Sequence, residues 1–211
     1  MMIPPIPLRE LKKAKTKIAL YEASMSLIED RIFRDVMLED ICRMAEVSRV
    51  TFFNMFRKKE DLLLYYMRVW LTGKIIDIQE QSLRGFDAVR HLLVGVSDQA
   101  REKPGIMPSL ISFLAEMKMH PEMPTLSHAE IQLLFPGHEQ IGSESPNMFA
   151  LFEQCIFEAQ QDGTLKDGIS IPEAIQFLFT VFYGAFLTSQ LYASEDILSF
   201  YETQLRFIEV K

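Results

Sequence analysis

Apolar residues recur along this chain at three- and four-residue steps, and this spacing predicts helices almost throughout. Leu20, Ala23, Leu27 and Ile28 form one such stripe and predict a first helix over roughly residues 10–30. Regular alternation of apolar and polar residues is nearly absent, and no Asn-Gly or Asp-Gly turn joins β-branched runs. The chain is therefore predicted to be all-α.

Two short helices are predicted next. Leu38, Ile41, Cys42 and Ala45 repeat the helical spacing over about two turns. Glu46 and Val47 are expected to turn the chain, after which Ser48 is a good N-cap for a third helix. Two short helices joined by a tight turn are the geometry of a helix-turn-helix, whose second helix enters the major groove of DNA.

A fourth helix is predicted to begin near Lys59 and to run past Trp70. Beyond it, breaks at Gly85, Pro104, 120–124, 136–146, 162–168 and Ser194 separate helix-length pieces. The expected organisation is an N-terminal helix-turn-helix domain over 10–65 and a larger helical domain of about six helices over 66–211.

Charge is distributed unevenly between these two regions. The net charge of the 211 residues is −7, but residues 9–68 hold 13 Lys and Arg against 10 Asp and Glu, and the rest holds 9 against 19. Only the first third therefore suits a polyanionic partner.

Candidate DNA contacts cluster around the predicted third helix. Val50 and Thr51 are expected to face the bases, and the cations and Asn54 the phosphates. The alternative is that the phenylalanines are only core and the cations only a solvated face. The full candidate set is Ser48, Arg49, Val50, Thr51, Phe53, Asn54, Arg57, Lys58 and Lys59.

From about Leu20 to Leu63 the chain resembles the DNA-binding domain of the TetR family of bacterial transcriptional regulators. The matching pieces are LYEASMSLI, LEDICRMAEVS and RVTFFNMFRKKEDLL. The resemblance implies a cytoplasmic homodimer that binds a near-palindromic operator and leaves it when a small molecule enters the larger domain. Within the resemblance, Thr51 matches the usual threonine of the family motif, and Lys59 matches the family lysine at the start of the fourth helix.

Four residues depart from the family pattern. Ile32 stands where glycine is usual and predicts a different turn or backbone strain. Met37 replaces a usual Ser or Thr cap, Val50 a usual small residue, and Phe53 a usual tyrosine whose hydroxyl contacts phosphate. The same fold with altered operator contacts is expected.

The larger domain contains a methionine-rich segment, 106–123, that is a candidate lining for an apolar or amphipathic inducer pocket. Ordinary core packing is the alternative. The candidate ligand contacts are Met107, Leu110, Phe113, Leu114 and Met117.

Two apolar helices near 147–161 and 171–192 are candidates for a homodimer interface built as a four-helix bundle. The alternative is that the uncharged run from Ala174 is the domain's own central helix, or, since it has about 20 residues, a membrane span. The candidate interface residues are Phe149, Phe152, Ile156, Phe177, Val181 and Gly184.

Other functional classes have little support in the sequence. Cys42 and Cys155 show no paired spacing, no export signal is recognised, and a cytoplasmic protein is expected. His120, His128 and His138 match no metal-ligand motif, and no catalytic motif is found, so neither a metal, a cofactor nor an enzyme is predicted. A helical protein-interaction module whose helix-turn-helix no longer binds DNA remains the alternative function.

Overall fold

A computed structural model of the chain describes residues 6–29, 31–117 and 122–210, and these residues are organised into helices as predicted. The described part contains no strand, and its one extended pairing is an antiparallel bridge between Leu165 and Glu209. The chain divides into two compact units, one made of 1–73 and 103–146 and the other of 74–102 and 147–211.

The first unit holds the helix-turn-helix. Its elements are α1 (Leu8–Ile28), a 3-10 turn (Phe33–Asp35), α2 (Leu38–Met44), α3 (Arg49–Met55), the first part of α4 (Asp61–Glu80), α6 (Ile106–Met117), α7 (His128–Leu134) and α8 (Glu139–Ser143). Helix α1 packs against α2, α3 and α7, and α6 packs against the 3-10 turn. The core of this unit therefore joins the helix-turn-helix to helices that follow it by 50 residues or more.

The second unit is built on helices α5 (Gly85–Glu102), α9 (Met148–Gln161), α10 (Ile171–Leu191) and α11 (Ile197–Leu205), together with the end of α4. Helix α9 packs on α5 and α10, and α11 packs on α10 and α5. Three of these helices begin with polar caps, which are Asn147 on α9, a Ser170–Glu173 capping box on α10 and Asp196 on α11.

The expected count of about six helices in the larger domain is wrong. Helices α5 to α11, with the end of α4, give eight helical segments there in the described residues. The segment 136–146, expected to be a loop, contains α8, whose five residues are too few to show an apolar period. The functional division at residue 65 stays a prediction, since the two compact units do not show which residues bind DNA or ligand.

Candidate nucleic-acid interface

The turn between α2 and α3 is closed by a Schellman motif. The Val47 N–H donates to the Cys42 carbonyl at 2.9 Å, and the Glu46 N–H donates to the Arg43 carbonyl at 3.2 Å. Glu46 takes φ of +54°, a left-handed conformation that favours glycine. The turn thus sets the direction of α3 through backbone bonds, at the cost of a strained residue.

Ser48 caps α3 as predicted. Its Oγ accepts the Thr51 N–H at 3.1 Å and lies 2.9 Å from the Thr51 hydroxyl. Both hydroxyls are therefore engaged at the helix start, which fixes the first turn of α3.

An aromatic cluster holds the inner face of α3. The Phe52 and Phe56 rings lie 5.6 Å apart, and Phe56 meets Tyr65 of α4 edge to face at 5.7 Å. The Lys17 ammonium stands 4.9 Å from the centre of the Tyr65 ring. Phe52 and Phe56 are buried core residues of this unit.

The outer face of α3 is open to solvent. Val50 is 71% exposed and Phe53 50% exposed, and Arg49 and Asn54 are exposed on the same side. Thr51, predicted to face outward, is half-buried and bonded to Ser48. The surface that α3 offers a partner is therefore apolar at its centre and polar at its edges.

Lys59 has a different role from the one predicted. Its Nζ donates to the backbone carbonyls of Phe33 at 3.0 Å, Arg34 at 3.0 Å and Val36 at 2.8 Å. These bonds use all three N–H donors of the ammonium, and burial lowers its pKa. Lys59 is thus a structural cation that closes the 3-10 turn, rather than a free phosphate contact.

The side chains of the two cations that precede Lys59 are exposed to solvent. Arg57 and Lys58 are exposed, although the Lys58 ammonium lies 6.0 Å from the Phe113 ring centre. Their backbone N–H groups donate to Asp61 Oδ2 at 2.9 and 3.2 Å, so they are not available to an anion. Any phosphate contact here therefore depends on the two side chains.

Arg49 is partly neutralised within the chain. Its Nη1 lies 2.8 Å from Glu39 Oε1 of α2, and both side chains are largely exposed. Because an exposed pair of this kind contributes little, a phosphate can compete for Arg49.

Two departures from the family pattern have structural outcomes. Ile32 adopts φ of −72°, so the predicted strain does not fall on it, and Glu29 takes the positive φ after α1 instead. Met37 precedes α2 without forming a side-chain cap, as its chemistry predicted. The start of α2 therefore has no side-chain acceptor from Met37, and the Asp40 N–H donates instead to the Met37 carbonyl at 3.1 Å.

Sequence reasoning missed a buried polar network behind the interface. Glu130 of α7, only 4% exposed, accepts Lys17 Nζ at 2.8 Å and the Tyr65 hydroxyl at 2.9 Å on Oε1. Its Oε2 accepts the N–H and the hydroxyl of Ser127. Burial alone would raise the pKa of Glu130, but the bonds from Lys17 and Ser127 more than offset it, and the pKa lies below its usual value.

The candidate ligand contacts are mostly core residues. Met107, Leu110 and Phe113 of α6 are buried, and Leu114 and Met117 are half-buried. Of the five, Phe113 alone lines the cavity of about 200 Å³ beside the 3-10 turn, which Arg34, Lys59, Ser109 and Glu116 also border. The other four do not line that cavity.

The candidate interface residues divide into two groups. Phe152, Ile156 and Val181 lie in the core of the second unit, so their side chains are not available to a second chain. Phe149 is 48% exposed, Phe177 and Gly184 are half-buried, and Leu187 and Leu191 extend the same exposed face of α10. Helix α10 is long and apolar enough to cross a membrane, but it packs on α9 and α11 in its unit.

No metal cluster forms among the described residues, and His120 lies outside them. Cys42 and Cys155 are both buried free thiols, and burial raises the pKa of each.

Comparisons with solved structures assign the fold. The chain is similar to the reduced form of Escherichia coli NemR, with a TM-score of 0.60 and 17% identity over 92% of this chain and 98% of that one. It is also similar to the regulatory protein TetR from Rhodobacter sphaeroides, with a TM-score of 0.58 and 20% identity over 92% of this chain and 98% of that one. A third is Thermus thermophilus FadR, a TetR-family repressor in complex with lauroyl-CoA, with a TM-score of 0.52 and 22% identity over 90% and 91%.

The chain therefore has the fold of TetR-family transcription regulators, as the resemblance in its first third predicted. No family model matches the sequence, and no curated protein matches it.

Proposed function

We propose that this chain is a ligand-responsive transcriptional regulator that binds DNA through α3 and acts as a repressor. The observation that carries the proposal is the exposed outer face of α3, flanked by Arg49, Arg57 and Lys58, on a fold shared with TetR-family regulators. An apolar centre suits thymine methyl groups, and the flanking cations suit phosphates.

The proposed assembly is a homodimer on a near-palindromic operator. Exposed apolar residues of α9 and α10 support it, since Phe149, Leu187 and Leu191 would be covered by the equivalent surface of a second copy. A two-fold dimer reads two inverted half-sites about 34 Å apart, one turn of duplex. A location in the cytoplasm, where the chromosome lies, follows from this role.

Release by a small molecule is the second part of the proposal. Helices α6 and α7 contact the 3-10 turn and α1, so a ligand that displaces either helix changes the support of the helix-turn-helix. Operator and ligand binding would then be reciprocally coupled. The bound lauroyl-CoA of FadR shows that one protein of this fold accepts a long-chain acyl compound, which supports an amphipathic ligand here.

Selection of bound duplexes from a random library tests the operator proposal. The account predicts enriched sequences with two inverted half-sites whose centres lie about 10 base pairs apart. Enrichment of no sequence over the input library contradicts it.

A protein-interaction module is the second candidate. Two observations favour it. The centre of the α3 face is apolar, at Val50 and Phe53. Arg49 pairs with Glu39 and Lys59 bonds the Val36 carbonyl, and these contacts reduce the cationic character of the face. Stoichiometric capture of a protein through α3, with no retention on any duplex, supports this candidate over the first.

A further inference from the structure

Arg68, in the middle of α4, is a buried cation without an anionic partner. The residue is 2% exposed. Its Nη1 donates to the Thr72 hydroxyl one turn later, and its Nη2 donates to the Gly142 carbonyl of α8 at 2.6 Å. Its Nε is buried and bonds to no acceptor, and the guanidinium forms no ion pair with any carboxylate in the described ranges.

Such a group is costly to bury. A guanidinium stays charged in proteins, and removing an ion from water is offset only when an opposite charge and further hydrogen bonds replace the water. Thr72 and Gly142 supply two neutral acceptors, so the charge itself is not neutralised. Burial lowers the pKa of Arg68, as expected for a charge that has lost its hydration.

The nearby buried carboxylate is already committed. Glu130 binds Lys17 and Tyr65 through one oxygen and Ser127 through the other. The two buried charged residues of the described chain thus differ sharply, since every oxygen of Glu130 is bonded and an edge of Arg68 is not.

We infer that Arg68 binds the carboxylate of a small organic acid, and that this acid is the effector of the regulator. The inference rests on the proposed function and adds the chemical class of its ligand. Nε and a remaining Nη hydrogen can donate to two oxygens in one plane, which is the geometry of a carboxylate. A doubly charged phosphate fits less well, because Arg68 is the one cation among the buried residues of the described ranges.

The position of Arg68 links such an acid to the helix-turn-helix. Tyr65 lies three residues earlier on α4, so the two side chains are neighbours on one helix face. The Tyr65 hydroxyl bonds Glu130, which holds Lys17 of α1. A carboxylate bound to Arg68 therefore acts on the turn of α4 that carries the contact between α1 and α7.

The first test is thermal unfolding of the full chain and of Arg68→Met, which keeps a long side chain without the charge. Because the charge lacks a partner, the apo variant is expected to unfold at the same temperature or up to about 4 °C higher. A clear fall in melting temperature would overturn the inference, since Arg68 would then be a structural cap of α8. Arg68→Gln, which retains a donor without the charge, repeats the test if Arg68→Met does not fold.

The second test adds sodium octanoate or sodium benzoate at millimolar concentration, with octanamide and benzamide as uncharged controls. The inference predicts that at least one carboxylate raises the melting temperature of the unaltered chain, and that neither raises that of Arg68→Met. An equal shift in both proteins, a shift by the amides, or no shift at all would overturn it. DNA binding by Arg68→Met is measured separately, so that failure of the proposed DNA function is distinguished from failure of the ligand assignment.

Discussion

The ammonium of Lys59 lies 2.8 Å from the carbonyl oxygen of Val36, and it bonds two further carbonyls of the same 3-10 turn. This bond ties the segment before α4 to the segment before α2. The positive charge that sequence similarity assigns to DNA therefore stabilises the domain that presents α3.

Removing the charge is expected to affect stability at Lys59 and the salt dependence of DNA binding at Lys58. Lys59→Met leaves three carbonyls without their donor and should lower stability by about 1–3 kcal/mol. Lys58→Gln should leave the melting temperature unchanged but reduce the dependence of log K on log salt by about 1. Thermal unfolding and salt-dependent DNA titration of both variants check this. Equal melting temperatures for the two variants would contradict the structural role of Lys59.

Glu46 is expected to be a removable source of strain. Its φ of +54° lies in the left-handed region, where glycine carries no penalty. Glu46→Gly should therefore stabilise the chain by about 1 kcal/mol in chemical denaturation. Glu46→Ala removes the carboxylate but keeps the β-carbon, so it is the matched control. A glycine variant no more stable than the alanine variant would argue against strain in this turn.

Glu130 is expected to make stability depend on pH in the acid range. Its folded pKa is depressed, so its contribution is present above the unfolded value of about 4.3 and is lost as the pH falls through the lower folded value. Glu130→Gln should be less stable at pH 7, and the difference should shrink as the pH falls below about 4. Denaturation curves from pH 7 to pH 3 measure this, with Glu153→Gln as an exposed control. A difference that stays constant over that range would contradict the network.

Gly184 is expected to report on the proposed dimer. A β-carbon built at this position meets no atom within 4 Å in one chain, so the unit has open space where a side chain begins at Gly184. Gly184→Trp should convert a dimer into monomers of 24.4 kDa, whereas Gly184→Ala should remain dimeric. Light scattering after size exclusion measures the mass. A dimer that survives the tryptophan would place the interface elsewhere.

The local features of the helix-turn-helix were predictable because their signals are local. The apolar spacing of Ile41 and Cys42, the cap at Ser48 and the phenylalanine pair at Phe52 and Phe56 each act within one or two helical turns. The first helix, predicted over roughly 10–30, lies at Leu8–Ile28.

The features that were not predictable depend on residues far apart in the chain. Lys59 finds its acceptors 23 to 26 residues earlier, and Glu130 finds Tyr65 65 residues earlier. Neither pairing has a periodic signal, because each arises only when separate helices pack. Arg68 illustrates the same limit, since its charge predicts exposure, whereas in the fold it is buried and bonds the carbonyl of Gly142, 74 residues later.

The same limit explains why some of the candidate dimer residues lie in the chain's own core. Apolar periodicity does not distinguish the side of a helix that faces its own core from the side that faces a second chain. Periodicity therefore places Phe152 and Ile156 with Phe149, whereas in the fold Phe152 and Ile156 are buried within the unit and Phe149 is exposed.

Binding of DNA by the outer face of α3 is the central claim, and one titration tests it directly. Fluorescence anisotropy is measured with the duplex upstream of the protein's own gene and with a shuffled duplex, at about 50–200 mM salt. Val50→Glu adds a carboxylate to the α3 face, and Val94→Glu adds the same charge to an exposed position on α5. The account predicts preference for the upstream duplex, weaker binding at higher salt, and loss of binding in Val50→Glu alone. Equal binding of both duplexes without salt dependence, or unchanged binding by Val50→Glu, would contradict it.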